Sequence, residues 1–433
     1  MIDPSVIQKI KDVATIREVV EDYVPLQKRG VNYVGKCPFH DDNHPSFYVS
    51  PARNYCKCFV CQEGGDPIRF LMKHENIGFI DAIHLLAKKY GIEIEEKQLS
   101  DEERKAMQEN ENLRNMANWL AQHCSENLSA DSDEADKAKM YLMQQLRLRQ
   151  DTINQFGIGL ALKGASYSAA ALSKGYKSEQ LQRIGISRVD ESGNWEDLYA
   201  GSIIIPFHTV SGSVVAFAAM NIESEEVKYT PDSSIFNSWN SLFGLYHAKR
   251  DILSNKKCLL TESPLDILGA WQVGIKNIVA SCGKELSDQH INILKRTIPA
   301  KSSAEDRHIT LIYENTQEGI KKAQNTGRNL VRSGISVHIV ELPKNESLAS
   351  YTKGKNAEEV QNYLTEHEKD FINYYTERLN KVIALKPQFK EKALEEVGKL
   401  LTSIPDLIVR DAYIKSCASQ LKISQDSLTK FIN

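Results

Sequence analysis

The chain is 433 residues long and contains 41% hydrophobic and 26% charged residues, as ordinary globular proteins do. This length exceeds what one compact core usually contains, so we expect two to four domains. No run approaches the roughly 18 consecutive apolar residues of a membrane span. The formal net charge of −3 does not indicate a nucleic-acid-binding protein, although that total would hide a basic surface on one domain.

The cysteines follow the pattern of a protein from a reducing compartment. Three of the eight lie within residues 56–61, and four others stand singly among apolar residues. This pattern predicts one metal site and several buried thiols rather than a disulfide framework. The N-terminal run MIDPSVIQKIKDVATI reads as a charged amphipathic helix and lacks the apolar block of a signal peptide. We therefore expect a cytoplasmic protein without a membrane segment.

Residues 1–97 are predicted to form a zinc-binding ribbon domain. Two ligand pairs, each with two intervening residues, carry this prediction: Cys37 with His40, and Cys58 with Cys61. Two such pairs can complete a tetrahedron around one zinc ion and leave no position open for catalysis. The alternative, a set of buried inert cysteines, does not explain the doubled spacing. Cys56 could compete with Cys58 as a ligand, whereas His44 is expected at the surface.

Aromatic and basic residues alternate around these ligands. The aromatic residues are Phe47, Tyr48, Tyr55 and Phe59, and the basic residues are Arg53, Lys57 and Arg69. Aromatic faces can stack on single-stranded bases while cations hold phosphates. For most of the aromatic residues we favour a place in the small core of the ribbon. An exposed minority, together with the three cations, is the predicted nucleic-acid surface.

The rest of the chain divides into four segments. Residues 98–140 are strongly charged and helical by propensity, which predicts a charged helical linker. Residues 141–255 combine short helices with strands on either side of a hairpin-like turn at 211–213. Over 256–354 apolar strands alternate with helices, which predicts a mostly parallel sheet covered by helices. Residues 355–433 are predicted to form a helical C-terminal subdomain.

The sequence resembles the bacterial DnaG-type DNA primases over nearly its whole length. The block GKCPFHDDNHPSFYVS…YCKCFVCQEGGDPIRFLM is similar to the CHC2 zinc-binding domain of that family. FGIGLAL, IIIPFHTVSGSVVAF, KYT and LFGLYHAKR are similar to landmarks in the N-terminal subdomain of the polymerase core. TESPLDILGAWQ resembles the first motif of a Toprim domain, and IPDLIVRDAYIKSCASQLKIS resembles the helical end of the core.

This resemblance implies a multidomain α+β and α/β fold. Its parts are an N-terminal zinc ribbon, a primase polymerase core with an α/β Toprim subdomain at 256–354, and a helical C-terminal subdomain. Residues 141–255 would be the N-terminal subdomain of the core. The further domain by which such primases contact the replicative helicase is expected to be absent.

The resemblance also implies a catalytic metal site. Joining ribonucleotides requires divalent ions held by clustered carboxylates, and the C-terminal ends of adjacent parallel strands are the natural place for them. Glu262, Asp266 and Glu314 match acidic positions of the Toprim motifs and would hold magnesium or manganese. Ser263 replaces the glycine of the first motif, and Thr316 replaces a carboxylate of the second. The alternative reading of all three carboxylates is ordinary strand-end and helix-start acids.

The predicted site also has fewer basic residues than the corresponding site of the family. Lys228 is retained as a phosphate contact, but Ala200 and Ser202 stand where the family has arginines, and Ser238 stands near the position of a further lysine. We therefore carry two hypotheses. The first is a primase that makes short RNA primers from ribonucleoside triphosphates on single-stranded DNA. The second is a non-catalytic single-stranded DNA-binding relative from a mobile element or plasmid.

Overall fold

The computed structural model describes residues 4–42, 44–75, 77–94, 100–163, 166–191, 195–282, 284–298 and 307–432. The chain forms two compact units, residues 1–105 and residues 106–433. The predicted boundary between the zinc domain and the linker, at residues 97 and 98, lies outside the described residues. No helix in the described part of the chain is long and apolar enough to cross a membrane.

The first unit is a small antiparallel sheet flanked by helices. Its five strands pair in chain order: β1 Gln27–Arg29, β2 Asn32–Gly35, β3 Phe47–Ser50, β4 Tyr55–Cys58 and β5 Gly64–Gly65. Its helices are α1 Pro4–Val13, α2 Ile16–Glu21, α3 Pro67–His74 and α4 Phe79–Tyr90. Alternation along β3 buries Phe47 and Val49, which join apolar residues of all four helices in one core.

The segment that we predicted to be a linker is part of a folded core instead. It contains α5 Asp101–Ser129 and α6 Asp133–Met140. Along α5 the buried residues recur every three or four positions and pack into the core of the second unit: Leu113, Met116, Ala117, Leu120, Ala121, Cys124 and Leu128. The many charges of the segment occupy the solvent face of this helix, which is why the segment resembles a linker in composition.

The second unit continues with an antiparallel sheet ordered β11-β10-β9-β6. Its strands are β6 Gly159–Ala161, β9 Ser202–His208, β10 Val214–Asn221 and β11 Val227–Tyr229, while β7 Ser187–Val189 and β8 Trp195–Asp197 pair separately. The helices here are α7 Gln150–Gln155, α8 Tyr167–Ser173, α9 Ser178–Arg183 and α10 Leu245–Asn255. β9 and β10 form the hairpin expected from the sequence, and Gly212 in its turn has φ +95°.

The following sheet is the predicted parallel one, ordered β13-β12-β14-β15-β16. The strands are β12 Lys257–Thr261, β13 Ile278–Ala280, β14 His308–Tyr313, β15 Ser336–Glu341 and β16 Glu368–Asp370. The first four are parallel and β16 is antiparallel. Between them lie α11 Pro264–Gln272, α12 Asp288–Thr297, α13 Gln317–Arg332, α14 Leu348–Thr352 and α15 Ala357–Glu366.

This sheet extends beyond the predicted boundary at residue 354, because β16 pairs with β15. Our sequence reading missed β16, since three polar residues carry no apolar alternation. The chain then continues with helices, as expected: α16 Phe371–Leu385, α17 Lys390–Thr402, α18 Leu407–Leu421 and α19 Gln425–Thr429. Their apolar faces share one core with the parallel sheet.

Candidate metal centres

The four predicted zinc ligands converge on one point in the first unit. Cys37 Sγ lies 3.7 Å from Cys61 Sγ, and Cys58 Sγ lies 3.9 Å from His40 Nδ1. All four ligand atoms lie within 4.8 Å of one another. A tetrahedral zinc ion with Zn–S bonds of about 2.3 Å requires sulfur atoms about 3.8 Å apart. These residues therefore fit a structural zinc ion.

Backbone amides support the thiolates of the two knuckles. Phe39 N–H donates to Cys37 Sγ at 3.4 Å, and the N–H groups of Val60 and Cys61 donate to Cys58 Sγ at 3.3 and 3.4 Å. Burial raises the pKa of the Cys37 thiol to about 12. Burial acts in the same direction on Cys58, but a hydrogen bond with Ser46 and hydrogen bonds from these amides lower its pKa to about 7. A zinc ligand must be deprotonated, and this pattern of amide donors favours that state.

Asp42 orients the first knuckle, and our sequence analysis did not identify it. Its Oδ2 accepts hydrogen bonds from Cys37 N–H at 2.7 Å and from Ser46 Oγ at 2.6 Å, and its Oδ1 lies 3.8 Å from His40 Nε2. The Ser46 hydroxyl and the Cys37 amide hold the pKa of Asp42 at about 2. A carboxylate beside the second nitrogen of a ligating histidine fixes the ring so that the first nitrogen faces the metal.

The structure resolves the ambiguity over Cys56. Its side chain is fully buried on the face of β4 opposite to the solvent, and its thiol donates to the carbonyl of Gly65 at 3.3 Å. Burial raises the pKa of Cys56 to about 11. Cys56 is therefore a core residue and takes no part in the ligand group. His44 is exposed, as expected.

The aromatic residues of the ribbon divide into core and surface residues. Phe47 is fully buried, whereas Phe59 is 61% exposed at the tip of the second knuckle and touches Tyr48 edge to face. Tyr48 and Lys57 are cross-strand partners, so both lie on the outer face of the sheet. Arg29 reaches the same place and donates to Tyr48 Oη at 2.8 Å. We call Arg29, Tyr48, Lys57 and Phe59 the outer face.

The predicted basic residues are not all on this surface. Arg53 is exposed at the end of a short 3-10 helix, Pro51–Arg53, that follows β3. The stem of Arg69 covers Gly65, whose cross-strand partner is the buried Cys56, so Arg69 lies on the helix-covered side. Lys57 alone among the three predicted cations shares a face with the aromatic pair.

The predicted catalytic carboxylates lie at the C-terminal ends of adjacent strands of the parallel sheet, which form one edge of it. Glu262 follows β12, Asp266 lies in the first turn of α11, and Glu314 follows the neighbouring strand β14. Burial raises the pKa of Glu262, and the negative charges of Asp266 and Glu314 add to that rise. The three side chains thus share one electrostatic environment, which is the arrangement expected from their strand ends.

Asp266 is held inside the protein. Its side chain is only 4% exposed, its Oδ2 accepts from Thr261 Oγ1 at 2.6 Å, and its Oδ1 accepts from Ala349 N–H at 2.8 Å. Burial raises its pKa, although these hydrogen bonds oppose the rise. Both oxygens have protein donors, so Asp266 links α11 to α14 and is less free to bind a metal than the sequence suggested.

Glu262 has a partner that the sequence did not reveal. Its Oε1 lies 3.0 Å from Lys322 Nζ, and the same ammonium lies 2.9 Å from Glu318 Oε1. Glu314 is exposed. Within the described ranges, these carboxylates do not form a group of three with ligand atoms within 4.8 Å of one another. Of the three predicted carboxylates, Glu262 and Glu314 are left as the two accessible ones.

Magnesium usually takes one or two protein carboxylates and completes its shell with water and substrate phosphates. Glu262 and Glu314 match that donor set, so the residues present fit a single magnesium or manganese ion that arrives with a triphosphate. Thr316 supplies no charge here. Its hydroxyl accepts from Gly319 N–H at 3.2 Å and caps α13. Gly319 is required because a Cβ there would lie 2.2 Å from the carbonyl oxygen of Glu314.

Lys228 lies on the edge strand β11 with an exposed side chain, and its ammonium is 3.4 Å from Glu226. Side chains alternate along a strand, so Lys228 and its neighbour Tyr229 lie on opposite faces. Tyr229 is the residue that lies near the carboxylates. Burial, and then the charges of Cys282, Asp266 and Glu262, raise the pKa of its phenol. The sequence analysis did not single out Tyr229.

A second group of potential ligands lies at the opposite edge of the parallel sheet. His308, His338 and Glu368 bring ligand atoms within 4.8 Å of one another. The two imidazole rings stack with centroids 4.1 Å apart and an interplanar angle of 12°. A metal ion lies in the plane of each imidazole that binds it, and two parallel planes about 4 Å apart share no such position. We therefore interpret this group as an electrostatic network.

Four family models match successive parts of the chain. The CHC2 zinc finger matches residues 2–102, and the N-terminal domain of the DNA primase catalytic core matches 125–249. A Toprim-like family matches 259–352, and the DnaB-helicase binding domain of primase matches 390–426. This last match corrects our expectation that the helicase-binding domain is absent. We had assigned these residues to the helical end of the core.

Known primases resemble the chain over most or all of its length. The DNA primase of Staphylococcus aureus strain COL is 27% identical over 443 residues, which cover 100% of this chain and 71% of that protein. The Aquifex aeolicus primase, solved with its zinc-binding and RNA polymerase domains, is 26% identical with a TM-score of 0.61, over 98% of this chain and 99% of that one. A DNA primase domain from Pseudomonas aeruginosa shares the fold, with a TM-score of 0.62 and 20% identity over 74% of this chain and 99% of that one.

These matches favour primer synthesis over the non-catalytic alternative. They follow the order zinc finger, catalytic core and Toprim domain. The zinc ligands lie within the first match, and the carboxylates Glu262, Asp266 and Glu314 lie within the third. The chain is therefore similar over its whole length to bacterial DNA primases, and it carries in succession matches to a CHC2 zinc finger, the N-terminal domain of a primase catalytic core and a Toprim-like domain.

Proposed function

We propose that this chain synthesises short RNA primers on single-stranded DNA at the Toprim edge formed by Glu262, Asp266 and Glu314. The observation that carries the proposal is the convergence of these carboxylates at the ends of two adjacent parallel strands, β12 and β14. Primer synthesis is a DNA-directed nucleotidyl transfer, and it requires negative side chains that hold a divalent ion beside the triphosphate.

In this proposal the residues at the edge have different roles. Glu262 and Glu314 hold the magnesium or manganese ion, which neutralises charge on the triphosphate. Asp266 acts as a positioning residue, because its hydrogen bonds to Thr261 and Ala349 fix the start of α11 and with it the loop that presents Glu262. Lys228 contacts a phosphate of the template or of the nucleotide.

The outer face of the zinc ribbon is the proposed contact with single-stranded template. Phe59 offers an exposed ring for stacking on a base, and Lys57 and Arg29 place positive charge beside it. Arg53 and Arg69 lie elsewhere on the same unit and remain proposed contacts to the DNA backbone. The zinc ion would hold the knuckle that presents Phe59.

The helicase contact is proposed for residues 390–426, which match the DnaB-helicase binding domain of primase. At the start of α18, Leu407 is 66% and Ile408 is 82% exposed, so this helix presents apolar side chains that a partner could cover. Replacing both residues with Ala should weaken binding to a purified bacterial replicative helicase in a titration. Equal binding by the variant and the parent would place the contact elsewhere. The same proposal places the protein in the cytoplasm, where the DNA template is replicated.

The test of primer synthesis uses the full chain, single-stranded DNA, labelled ribonucleotides, and magnesium or manganese. Short template-dependent RNA oligomers are expected, and Glu262→Ala should remove them. The matched control is Glu366→Ala, an exposed carboxylate that lies outside the Toprim edge. Absence of product with both metals, or undiminished product from Glu262→Ala, would contradict the proposal.

A further inference from the structure

The ammonium of Lys322 lies against Glu262, one of the two carboxylates proposed to hold the divalent ion. Its Nζ is 3.0 Å from Glu262 Oε1 and 2.9 Å from Glu318 Oε1. The Glu262 side chain is 17% exposed, so water screens this ion pair less than it would screen one on the open surface. Among the accessible carboxylates of the edge, Glu262 is thus already neutralised by a residue of the same chain.

The surroundings of Lys322 hold its backbone in place while leaving its side chain free to move. Thr316 caps the helix, Gly319 packs against the carbonyl of Glu314, and Glu318 pairs with Lys322 at i, i+4. The lysine side chain is 39% exposed and has four rotatable carbons between backbone and ammonium. It can therefore leave Glu262 without disturbing α13.

A divalent ion and the ammonium repel each other when both contact Glu262, because they carry charge of the same sign. Binding of the ion therefore favours release of the ammonium. The free ammonium would then find a triphosphate within reach of its stem, and a lysine is a mobile point charge well suited to phosphate oxygens. An ion pair away from a metal site would not be displaced by a metal ion and would not deliver its ammonium to a phosphate.

We propose that Lys322 is an internal counter-ion of the Toprim edge, which competes with the divalent metal for Glu262 and moves to a phosphate oxygen of the incoming triphosphate when the metal binds. The second half of this statement rests on the proposed function, whereas the competition for Glu262 does not. Lys322 thereby sets the metal concentration that the site requires.

The competition is tested on the full chain by manganese binding, measured from the free Mn²⁺ signal in electron paramagnetic resonance without nucleotide. Lys322→Met, which keeps the length of the side chain and removes its charge, should tighten binding about tenfold. Lys322→Arg should bind like the parent. Lys321→Met, a change at the exposed neighbouring lysine, is the matched control and should leave binding unchanged. Glu262→Gln should lose the site and so identifies it.

The transfer to phosphate is tested by titrating a ribonucleoside triphosphate in saturating manganese. Lys322→Met should weaken nucleotide binding by roughly tenfold, opposite in sign to its effect on the metal. Equal manganese affinity in Lys322→Met and the parent would overturn the competition, whatever the primer-synthesis activity is. Tighter manganese binding without any primer synthesis would retain the competition and reject the proposed function. Unchanged nucleotide affinity would overturn the transfer.

Discussion

Thr316 shows how a single side chain can preserve the fold while removing charge from a site. Its hydroxyl caps α13, and Asp is an equally good N-cap residue. Thr316→Asp should therefore keep the helix and place a third accessible carboxylate beside Glu314. We expect manganese affinity to rise several-fold and primer synthesis to rise with it.

The matched variant is Thr316→Ser, which retains the cap without adding charge and should behave like the parent in both assays. Thermal unfolding of both variants should remain close to that of the parent. If Thr316→Asp leaves manganese affinity unchanged while the helix remains intact, the edge does not use this position for metal binding.

Phe59 is the residue on which template binding by the ribbon should depend most. Stacking of a base on an aromatic ring contributes about 1–3 kcal/mol, so Phe59→Ala should weaken single-stranded DNA binding by roughly 5- to 150-fold. The measurement is fluorescence anisotropy with a labelled oligonucleotide at two salt concentrations. Phe79→Ala, at a 39% exposed ring on α4, is the control and should have little effect. Equal losses in the two variants would argue against the outer face.

At the scale of elements, side-chain contacts stabilise β16, because a three-residue strand forms few backbone hydrogen bonds. Glu368 on this three-residue strand accepts from Lys257 Nζ at 2.7 Å and lies 3.2 Å from His308 Nε2, and the hydroxyl of Thr310 donates to it as well. Burial acts to raise the pKa of Glu368, but these partners on β12 and β14 hold it well below its usual range. The network links the antiparallel strand β16 to the N-terminal ends of the parallel strands β12 and β14.

Glu368→Gln should lower the free energy of unfolding by about 1–3 kcal/mol at pH 7, since it removes charged hydrogen bonds from a mostly buried network. A lowered folded-state pKa stabilises the protein above the unfolded-state pKa of about 4.3, and this contribution is lost as pH falls below that value. Urea unfolding at pH 7, 5, 4 and 3 should show a constant difference down to about pH 5 and a shrinking one below it. Glu366→Gln, on the exposed surface just before β16, is the control.

At the scale of the whole molecule, the two units have separate cores and depend on metal differently. The core of the first unit contains only residues from 10 to 87, whereas the larger cores lie between 113 and 428. A small domain with four metal ligands takes much of its folding free energy from zinc. Chelation of zinc should therefore unfold the first unit and leave the second folded.

Calorimetry should show two thermal transitions in the zinc-loaded chain and loss of one of them after chelation at neutral pH. A variant with Cys58→Ala and Cys61→Ala together should resemble the chelated protein. Residues 106–433 expressed alone should retain the second transition and bind no zinc tightly. A single transition that chelation shifts as a whole would show that the units do not fold independently.

The sequence alone predicted the group of four zinc ligands that the structure brings together, because doubled two-residue spacing has few other uses. It also determined the parallel sheet and the hairpin, since apolar strands of ordinary length alternate there with helices or flank a glycine turn. Each of these conclusions depends on residues close together in the chain. The resemblance to DnaG-type primases added the order of the zinc, core and Toprim domains, and it predicted roles for Glu262 and Glu314.

Only the tertiary structure decided which of these residues contact one another and which of them already have hydrogen-bond or charge partners. Asp42 beside His40, the two donors on Asp266, and Lys322 on Glu262 all join segments whose spacing carries no pattern. The same holds for α5, whose charged composition gave no sign of its buried face, and for β16, whose residue Glu368 contacts Lys257, His308 and Thr310 from distant parts of the chain. Local periodicity reports how one element folds, whereas burial and charge pairing depend on elements that are distant in sequence.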